Sequence, residues 1–259
     1  MVEINPLYSV AGVAVGFLVG LTGVGGGSLM TPLLVLAFGF HPVTAVGTDL
    51  LYASATKTVG TAVHGFSGTV DWKVVRRLAL GSVPATLLTL LALAYAGTKF
   101  EGTEHVITVM LGVALIATAI AMAFRRQILA HYAGALETTS DRQIVRLTVM
   151  LGVALGVLVS LSSVGAGALG MTALLILYPK LPTNRLVGSD IAHAVPLTLI
   201  AGMGHWAMGS VDFSLLVSLL IGSVPGIIAG SLISARIPDG VTRVILAGTL
   251  AIVGGKLIF

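Results

Sequence analysis

Long apolar runs, separated by short polar or glycine-rich breaks, divide this chain into ten segments, five in each half. We predict helices over residues 6–22, 28–39, 43–66, 72–98, 105–124, 144–163, 168–178, 185–208, 212–235 and 239–258. A membrane crossing needs about 20 apolar residues, so the third, fourth and fifth segments of each half can span a bilayer. The second segment of each half is too short to span comfortably, and it follows a glycine-rich break.

The breaks recur in the second half of the chain in the same order as in the first. Residues 46–49 (VGTD) return as 187–190 (VGSD), and residues 81–84 (GSVP) return unchanged as 222–225, both 141 positions later. A common register for so many breaks indicates an internal duplication. In a strongly apolar chain, a duplication is typical of a transporter.

Composition excludes most soluble classes of protein. Apolar residues make up 56% of the chain, charged residues make up 9%, and the mean hydropathy is +1.04. Soluble domains carry about a quarter charged residues. The absence of cysteine excludes disulfides and thiolate metal sites. We therefore predict an all-α polytopic membrane protein with two inverted repeats of five helical segments each. Glycine-broken short or re-entrant helices open each repeat.

The distribution of basic residues predicts how the segments cross the membrane. If the first two segments of each half enter and leave on one side, two basic residues, Lys99 and Lys256, lie outside. The other side then collects eleven: Lys73, Arg76, Arg77, Arg125, Arg126, Arg142, Arg146, Lys180, Arg185, Arg236 and Arg243. Basic loops face the cytoplasm. We expect a first repeat at 1–124, a cytoplasmic linker at 125–143, a second repeat at 144–259, and both termini outside. The net charge of +4 is then a topology signal, and no nucleic-acid partner is expected.

The two glycine-rich breaks, 23–28 (GVGGGS) and 164–168 (VGAGA), form the first candidate site. They look like a dinucleotide loop, but that loop needs a soluble βαβ unit around it. Irregular backbone persists in a membrane only where protein or a water-filled cavity surrounds it. The helix start after each break offers N–H groups and a positive dipole end to an anion. Broken helices at matching places in two repeats indicate a substrate site, and tight helix packing on glycine is the alternative.

The predicted substrate-binding residues lie in these breaks or on the segments that follow them. They are Gly25, Gly26, Gly27, Ser28, Thr31, Thr48, Lys57, Gly165, Ala166, Gly167, Thr172 and Ser189. Lys57 is the one basic residue well inside a predicted span, so it either complements an anion or pairs with an aspartate of the other repeat.

Ionisable residues within the spans form the second candidate site. They are usually costly there and face the protein interior or a pathway. Helical periodicity places them on one face of the third segment and one face of the eighth. We predict coupling roles for Asp49, Asp190, His64, His193 and His205. Structural pairing of the aspartates and helix-end hydrogen bonds for His64 and His205 are the alternatives.

Two other functions compete with anion transport. Asp49 and Asp190 could bind a cation directly. Asp190 and His193, three residues apart, could instead hold a metal. No HExxH or GxSxG motif accompanies that pair, so we predict no enzyme, no metal and no cofactor. The residues Gly222, Gly226 and Gly230 form a smooth helix face, used for internal packing or for a homodimer.

The glycine break GVGGGSLMTPLL, the following VGTDLLYASATKTVG and the GTVDW turn, with their echoes in the second half, resemble the sulfite exporter TauE/SafE family. This family is also known as the 4-toluene sulfonate uptake permeases. The resemblance runs from about residue 8 to 258. It implies a multi-pass permease of a prokaryotic inner membrane that handles small sulfur-containing anions such as sulfite or sulfonates. We expect proton linkage through the two aspartates, with the lipid bilayer and a small anion as partners.

Overall fold

A computed structural model describes residues 4–22, 27–66, 70–97, 103–132, 139–234 and 239–258. All the regular structure in these ranges is helical. In chain order the helices are α1 Pro6–Thr22, α2 Gly27–Leu36, α3 Pro42–Phe66, α4 Trp72–Gly97, α5 Thr103–Ala123, α6 Arg125–His131, α7 Asp141–Ser162, α8 Ala168–Leu177, α9 Thr183–Ala207, α10 Phe213–Ser234 and α11 Asp239–Ile258.

Ten of these helices match the ten predicted segments, and the eleventh, α6, lies in the predicted linker. Helix α2 ends earlier than predicted, because the chain turns through Gly39 at φ +69°. Helix α7 begins earlier, because the Ser140 hydroxyl caps it by accepting from Gln143 N at 3.4 Å. Helix α6 buries no residue.

Aspartates cap the starts of two matching helices. Asp71 Oδ1 accepts hydrogen bonds from Lys73 N at 3.0 Å and Val74 N at 3.3 Å at the start of α4. Asp212 Oδ1 accepts from Leu215 N at 2.9 Å at the start of α10. A capping carboxylate satisfies N–H groups that have no partner within the helix.

Helix lengths separate spanning helices from short ones. Within the described residues, five helices are long and apolar enough to cross a membrane: α4, α5, α7, α9 and α10. Helices α2 and α8 have 10 residues each, which at a rise of about 1.5 Å per residue gives roughly 15 Å. That is about half of a hydrocarbon core of roughly 30 Å. Each of the two short helices is therefore too short to cross that core by itself.

The distribution of polar and apolar side chains is the reverse of that in a soluble protein. Large apolar side chains such as Leu80, Leu88, Leu91 and Met150 are about two-thirds exposed on the outer helix faces. Hydroxyl, carboxyl and imidazole groups are buried instead, among them Asp49 and His193. An apolar exterior of this size requires a lipid environment.

The two halves of the chain interlock rather than fold side by side. Helix α1 packs along α10 and α4 along α7, while α3 crosses α9 and α5 packs on α11. Glycines make the matching pairs close. A Cβ at Gly81 would lie 2.0 Å from Val149 O, and one at Gly222 would lie 1.8 Å from Ser9 O.

The glycine face of α10 is therefore used inside the chain. A Cβ at Gly226 would lie 2.4 Å from Val13 O on α1. Close approach of backbones is what small residues permit in a membrane. The packing role predicted for Gly222 and Gly226 is confirmed, and these residues are not available to a second copy.

Candidate functional site

The contact between α3 and α9 places two matching aspartates in the interior of the helical assembly. Asp49 on α3 is fully buried, and Asp190 on α9 is 5% exposed. Close approach of the two helices is possible because Gly202 on α9 packs directly against Leu51 on α3, with a Cβ there meeting the Leu51 side chain at 2.6 Å. Apolar residues of both helices, including Leu50 and Leu197, form a common buried cluster around this crossing.

The break before α8 supplies irregular backbone next to these carboxyl groups. Ser163 ends α7 with φ +58°, and Gly165 has φ +119°, a conformation that favours glycine. The carbonyl of Gly165 accepts from Gly167 N at 2.9 Å and from Gly170 N at 3.0 Å. No side chain caps the start of α8. The break therefore presents the positive end of a short helix inside the protein.

Lys57 connects the two halves at this break. It is half-buried on α3, and its ammonium donates to Ala166 O at 3.0 Å. Among the described residues Lys57 forms this hydrogen bond and no direct ion pair. The ammonium also interacts electrostatically with Asp190 and Asp49. Lys57 therefore lies at the break with one carboxyl group from each half in its field.

Asp49 is held by the first half and lies next to the second. Thr31 on α2 donates to Asp49 Oδ2 at 2.5 Å. The Ser163 hydroxyl lies beside the same carboxyl group, but it has no hydrogen-bonding partner among the described residues. Among the described residues, Asp49 Oδ1 has no hydrogen-bonding partner.

Asp190 occupies the matching place but has different neighbours. The second half has glycine at position 170, and a Cβ there would lie 2.7 Å from Asp190 Oδ1. The same oxygen has no hydrogen-bonding partner within the described residues. The absence of a side chain at Gly170 makes room for this carboxyl group.

A serine–histidine pair lies three residues along α9 from Asp190. Ser82 Oγ and His193 Nε2 are 2.8 Å apart, and both side chains are fully buried. The residues that match them in the other half are Ser223 and Tyr52, and the Tyr52 hydroxyl lies beside Ser223. The two halves thus repeat the serine and differ in its neighbour.

The hydroxyl groups of Thr48 and Ser189, both predicted to bind substrate, join the halves instead. Thr48 Oγ1 accepts from Asp212 N at 3.0 Å, and Ser189 Oγ accepts from Asp71 N at 2.8 Å. Each hydroxyl therefore binds a backbone N–H just before a helix of the opposite half. We refer to these two contacts as the hydroxyl latches.

Other predicted site residues lie apart from this centre or outside the description. Thr172 donates to Ala168 O of its own helix at 2.7 Å. His205 Nε2 lies 2.9 Å from Ser160 O of α7. This hydrogen bond connects two helices and does not cap the end of α9. Gly27 begins α2. Gly25 and Gly26 lie outside the described residues, as do the side chains of Ser28 and His64.

Sequence reasoning missed three serines of the centre. Ser82 and Ser223 belong to the repeated GSVP motif, and its exact recurrence was the available signal. Ser163 had no such signal, because its position depends on where α7 ends. The tertiary fold alone brings it beside Asp49.

Ser82, His193 and Asp190 invite comparison with a catalytic triad, and the geometry argues against one. A triad needs a carboxylate hydrogen-bonded to the second imidazole nitrogen. His193 Nδ1 and Asp190 Oδ1 each have no partner among the described residues. The same part of the chain contains no group of three or more potential metal-ligating side chains.

Comparison with known proteins gives one consistent result. The family model described as "Sulfite exporter TauE/SafE" matches residues 8–257. The chain is 38% identical over 251 residues to the "Probable membrane transporter protein YjnA" of Bacillus subtilis, covering 95% of this chain and 97% of that protein. It is 28% identical over 249 residues to the "Probable membrane transporter protein YdhB" of the same organism, covering 94% of this chain and 96% of the relative.

A more distant relative comes from an archaeon. The "Probable membrane transporter protein MJ0441" of Methanocaldococcus jannaschii is 24% identical over 267 residues, covering 96% of this chain and 93% of its own. No solved structure matches the chain.

Proposed function

The chain belongs to the sulfite exporter TauE/SafE family of membrane transporters, and on that premise we propose that it moves a small sulfur-containing anion, such as sulfite or an organosulfonate, by proton-linked secondary transport. The membrane is a prokaryotic inner membrane, with the linker on the cytoplasmic side. The observation that carries the proposal is the meeting of Lys57 with the start of α8, which no side chain caps.

An anion suits this meeting point for electrostatic reasons. In the first turn of α8 the Gly170 N–H is bonded to Gly165 O, the N–H groups of Ala168 and Leu169 have no partner within the helix, and the helix dipole adds positive potential there. Lys57 adds a full positive charge at Ala166. A carbonyl oxygen is a weaker partner for an ammonium than an anion is. An arriving oxyanion therefore gains both Lys57 and the helix start.

Proton linkage follows from the two carboxyl groups at the same place. Two ionised carboxylates repel an anion, whereas protonated ones do not. Asp49 and Asp190 each keep one oxygen without a hydrogen-bonding partner among the described residues. Uptake of a proton together with the anion removes the repulsion.

We also propose that the two halves are inverted, which would let one half move against the other around the site. Three contacts support this arrangement. Arg77, near the start of α4, bonds to Asp141 at the start of α7 at 3.3 Å and to Tyr178 at the end of α8 at 3.2 Å. Asn5, before α1, donates to Ser218 near the start of α10 at 3.0 Å.

These contacts group the helix ends into two sets. The starts of α4 and α7 share one set, and the starts of α1 and α10 share the other. Helices α1 and α7, which match in the repeat, then begin in different sets, as inversion requires. A homodimer stays a prediction.

Sulfite uptake into proteoliposomes tests the proposal. We expect saturable uptake that increases when a pH gradient supplies protons on the side of the anion. Uptake is compared with that of the variant Lys57→Met, which keeps much of the side-chain length and loses the positive charge that the proposal assigns to anion binding. If neither sulfite nor an alkanesulfonate enters the vesicles, the substrate assignment is wrong.

The second candidate function is transport of a cation bound by Asp49 and Asp190, which the unpartnered carboxyl oxygens favour. The double variant with asparagine at both positions separates the two functions. Anion binding survives the change, because neutral amides do not repel an anion. Cation binding is lost.

A further inference from the structure

We propose that His193 binds the transported anion directly through its Nδ1–H group, and that Ser82 fixes the imidazole tautomer that makes Nδ1 a donor. The inference rests on the proposed function, because it names a further residue of the same site. It assigns His193 to recognition rather than to proton coupling.

The proposal assigns the Ser82 hydroxyl as the donor in the Ser82–His193 contact, and this assignment decides which ring nitrogen carries the hydrogen. Serine and threonine hydroxyls in these helices commonly donate to the carbonyl four residues earlier, as Thr58 and Ser218 do. The Ser82 hydroxyl differs, since its partner among the described residues is His193 Nε2 at 2.8 Å. A buried hydroxyl with one acceptor donates to it. A neutral imidazole that accepts at Nε2 carries its hydrogen on Nδ1.

This Nδ1–H group is buried and unused. His193 is fully buried, and its Nδ1 has no hydrogen-bonding partner among the described residues. Buried polar groups almost always have a partner, and an unsatisfied one in a native structure requires an explanation. A ligand that accepts a hydrogen bond at this position explains it.

The surroundings indicate that the ligand is an anion. Asp190 is three residues before His193, so the two side chains share one face of α9. The Lys57 ammonium interacts electrostatically with both residues. An N–H donor beside an ammonium favours an anionic acceptor and opposes a cation.

The feature belongs to one half of the molecule. In the first half the matching residue is Tyr52, whose hydroxyl lies beside Ser223 and, like His193 Nδ1, has no hydrogen-bonding partner among the described residues. A phenol has one polar atom, whereas an imidazole can accept from a serine at one nitrogen and donate at the other. The inference therefore places the imidazole donor on the side of Asp190 and predicts an asymmetric anion site.

Two substitutions at His193 separate binding from structure. In His193→Asn, the amide nitrogen can occupy the position of Nδ1 but cannot reach Ser82. In His193→Gln, the amide can reach Ser82 and no donor remains at Nδ1. Sulfite affinity is measured by calorimetry on purified protein in nanodiscs, with His131→Gln on exposed α6 as the control for loss of a histidine.

We expect His193→Gln to weaken sulfite binding about tenfold or more, as loss of a hydrogen bond to a charged group does. His193→Asn stays within about threefold of the unchanged protein, since it retains the donor. Equal binding by all three proteins, or the reverse order of the two variants, overturns the inference. If the unchanged protein binds neither sulfite nor methanesulfonate, the proposed function fails and the inference fails with it.

A spectroscopic measurement on the unchanged protein does not depend on folded variants. Nitrogen-15 spectra of histidine-labelled protein report the protonated nitrogen of each ring, and the His131→Gln spectrum removes one exposed signal. The inference predicts a ring protonated at Nδ1 whose signal moves when sulfite is added. His205 is a second buried ring, and its contact with Ser160 O requires a hydrogen on Nε2, so one buried ring protonated at Nε2 is expected in any case. The absence of a buried ring protonated at Nδ1, or a signal of that ring that ignores saturating sulfite, contradicts the inference.

Discussion

The two halves place an aspartate at the same point and surround it differently. Asp49 receives a hydrogen bond from Thr31 on α2. Asp190 lies against the bare backbone of Gly170 on α8, with Oδ1 unpartnered among the described residues. The same carboxyl group is thus anchored in one half and unanchored in the other. We infer that the two carboxyl groups contribute unequally to the proposed proton linkage, with Asp190 exchanging its proton more readily than Asp49.

The helix packing around the two aspartates, which we call the frame, shows no such difference between the halves. We call the two aspartates and the side chains beside them the centre. The glycine contacts of α1 with α10 are repeated between α7 and α4, and both hydroxyl latches are present. Duplication therefore retained the packing in both halves, while the residues around the aspartates diverged. Substitutions in the frame should act alike in the two halves, and substitutions in the centre should not.

The largest expected effect is in the frame. Gly222→Ala places a Cβ 1.8 Å from Ser9 O, and Gly81→Ala places one 2.0 Å from Val149 O. We expect each to lower the stability by about 3 kcal/mol, because backbone cannot move away as a flexible side chain can. Thermal unfolding in detergent measures the loss. Gly248→Ala, which has open space around its Cβ, is the matched control. Strongly unequal effects of the two substitutions would contradict a common frame.

The next effect compares the aspartates themselves. We expect Asp190→Asn to reduce the effect of a pH gradient on anion uptake about tenfold or more, and Asp49→Asn to reduce it less, because the anchored carboxyl exchanges its proton less readily. Initial uptake rates at several pH gradients measure both. Equal losses would show that the different anchoring has no functional consequence.

The anchor itself gives a smaller effect. Thr31→Val removes the donor to Asp49 and leaves a buried carboxyl oxygen unpaired, which costs about 1–3 kcal/mol of stability. Thr172→Val is the matched change in the second half, where the hydroxyl bonds its own helix. We expect a clearly smaller shift in melting temperature for Thr172→Val. An equal shift would mean that the Thr31 contact does not anchor Asp49.

The hydroxyl latches should give the smallest effect. Thr48→Val and Ser189→Ala each remove an acceptor for a backbone N–H before a helix, which costs about 1 kcal/mol, as loss of a helix cap does. Melting temperatures of the two variants should agree with each other. A transport defect without any loss of stability would indicate instead that Thr48 and Ser189 bind substrate, as predicted from the sequence.

Much of the frame could be predicted from the sequence. The ten segments follow from apolar runs long enough for helices, and the capping aspartates follow from their place before those runs. Helix α6 was missed because a short exposed helix has no apolar run to mark it.

The centre was predictable only in part. Asp49, Asp190 and Lys57 stand out as charges within apolar segments, and the structure brings them together. The hydroxyl partners could not be assigned, because a threonine near a glycine break can bond to a neighbouring helix of its own half, to its own helix or to the opposite half. Thr31, Thr172 and Thr48 each illustrate a different outcome. Tertiary contacts decide among these, and periodicity does not.

The most direct test of the account is the simultaneous measurement of alkanesulfonate and proton movement in proteoliposomes. Methanesulfonate stays a monoanion over the accessible pH range, so any proton that travels with it is carried by the protein. The account predicts that the unchanged protein moves both and that Asp190→Asn exchanges the anion without net proton movement. Proton movement that persists in Asp190→Asn, or anion movement by the unchanged protein without protons, would contradict it.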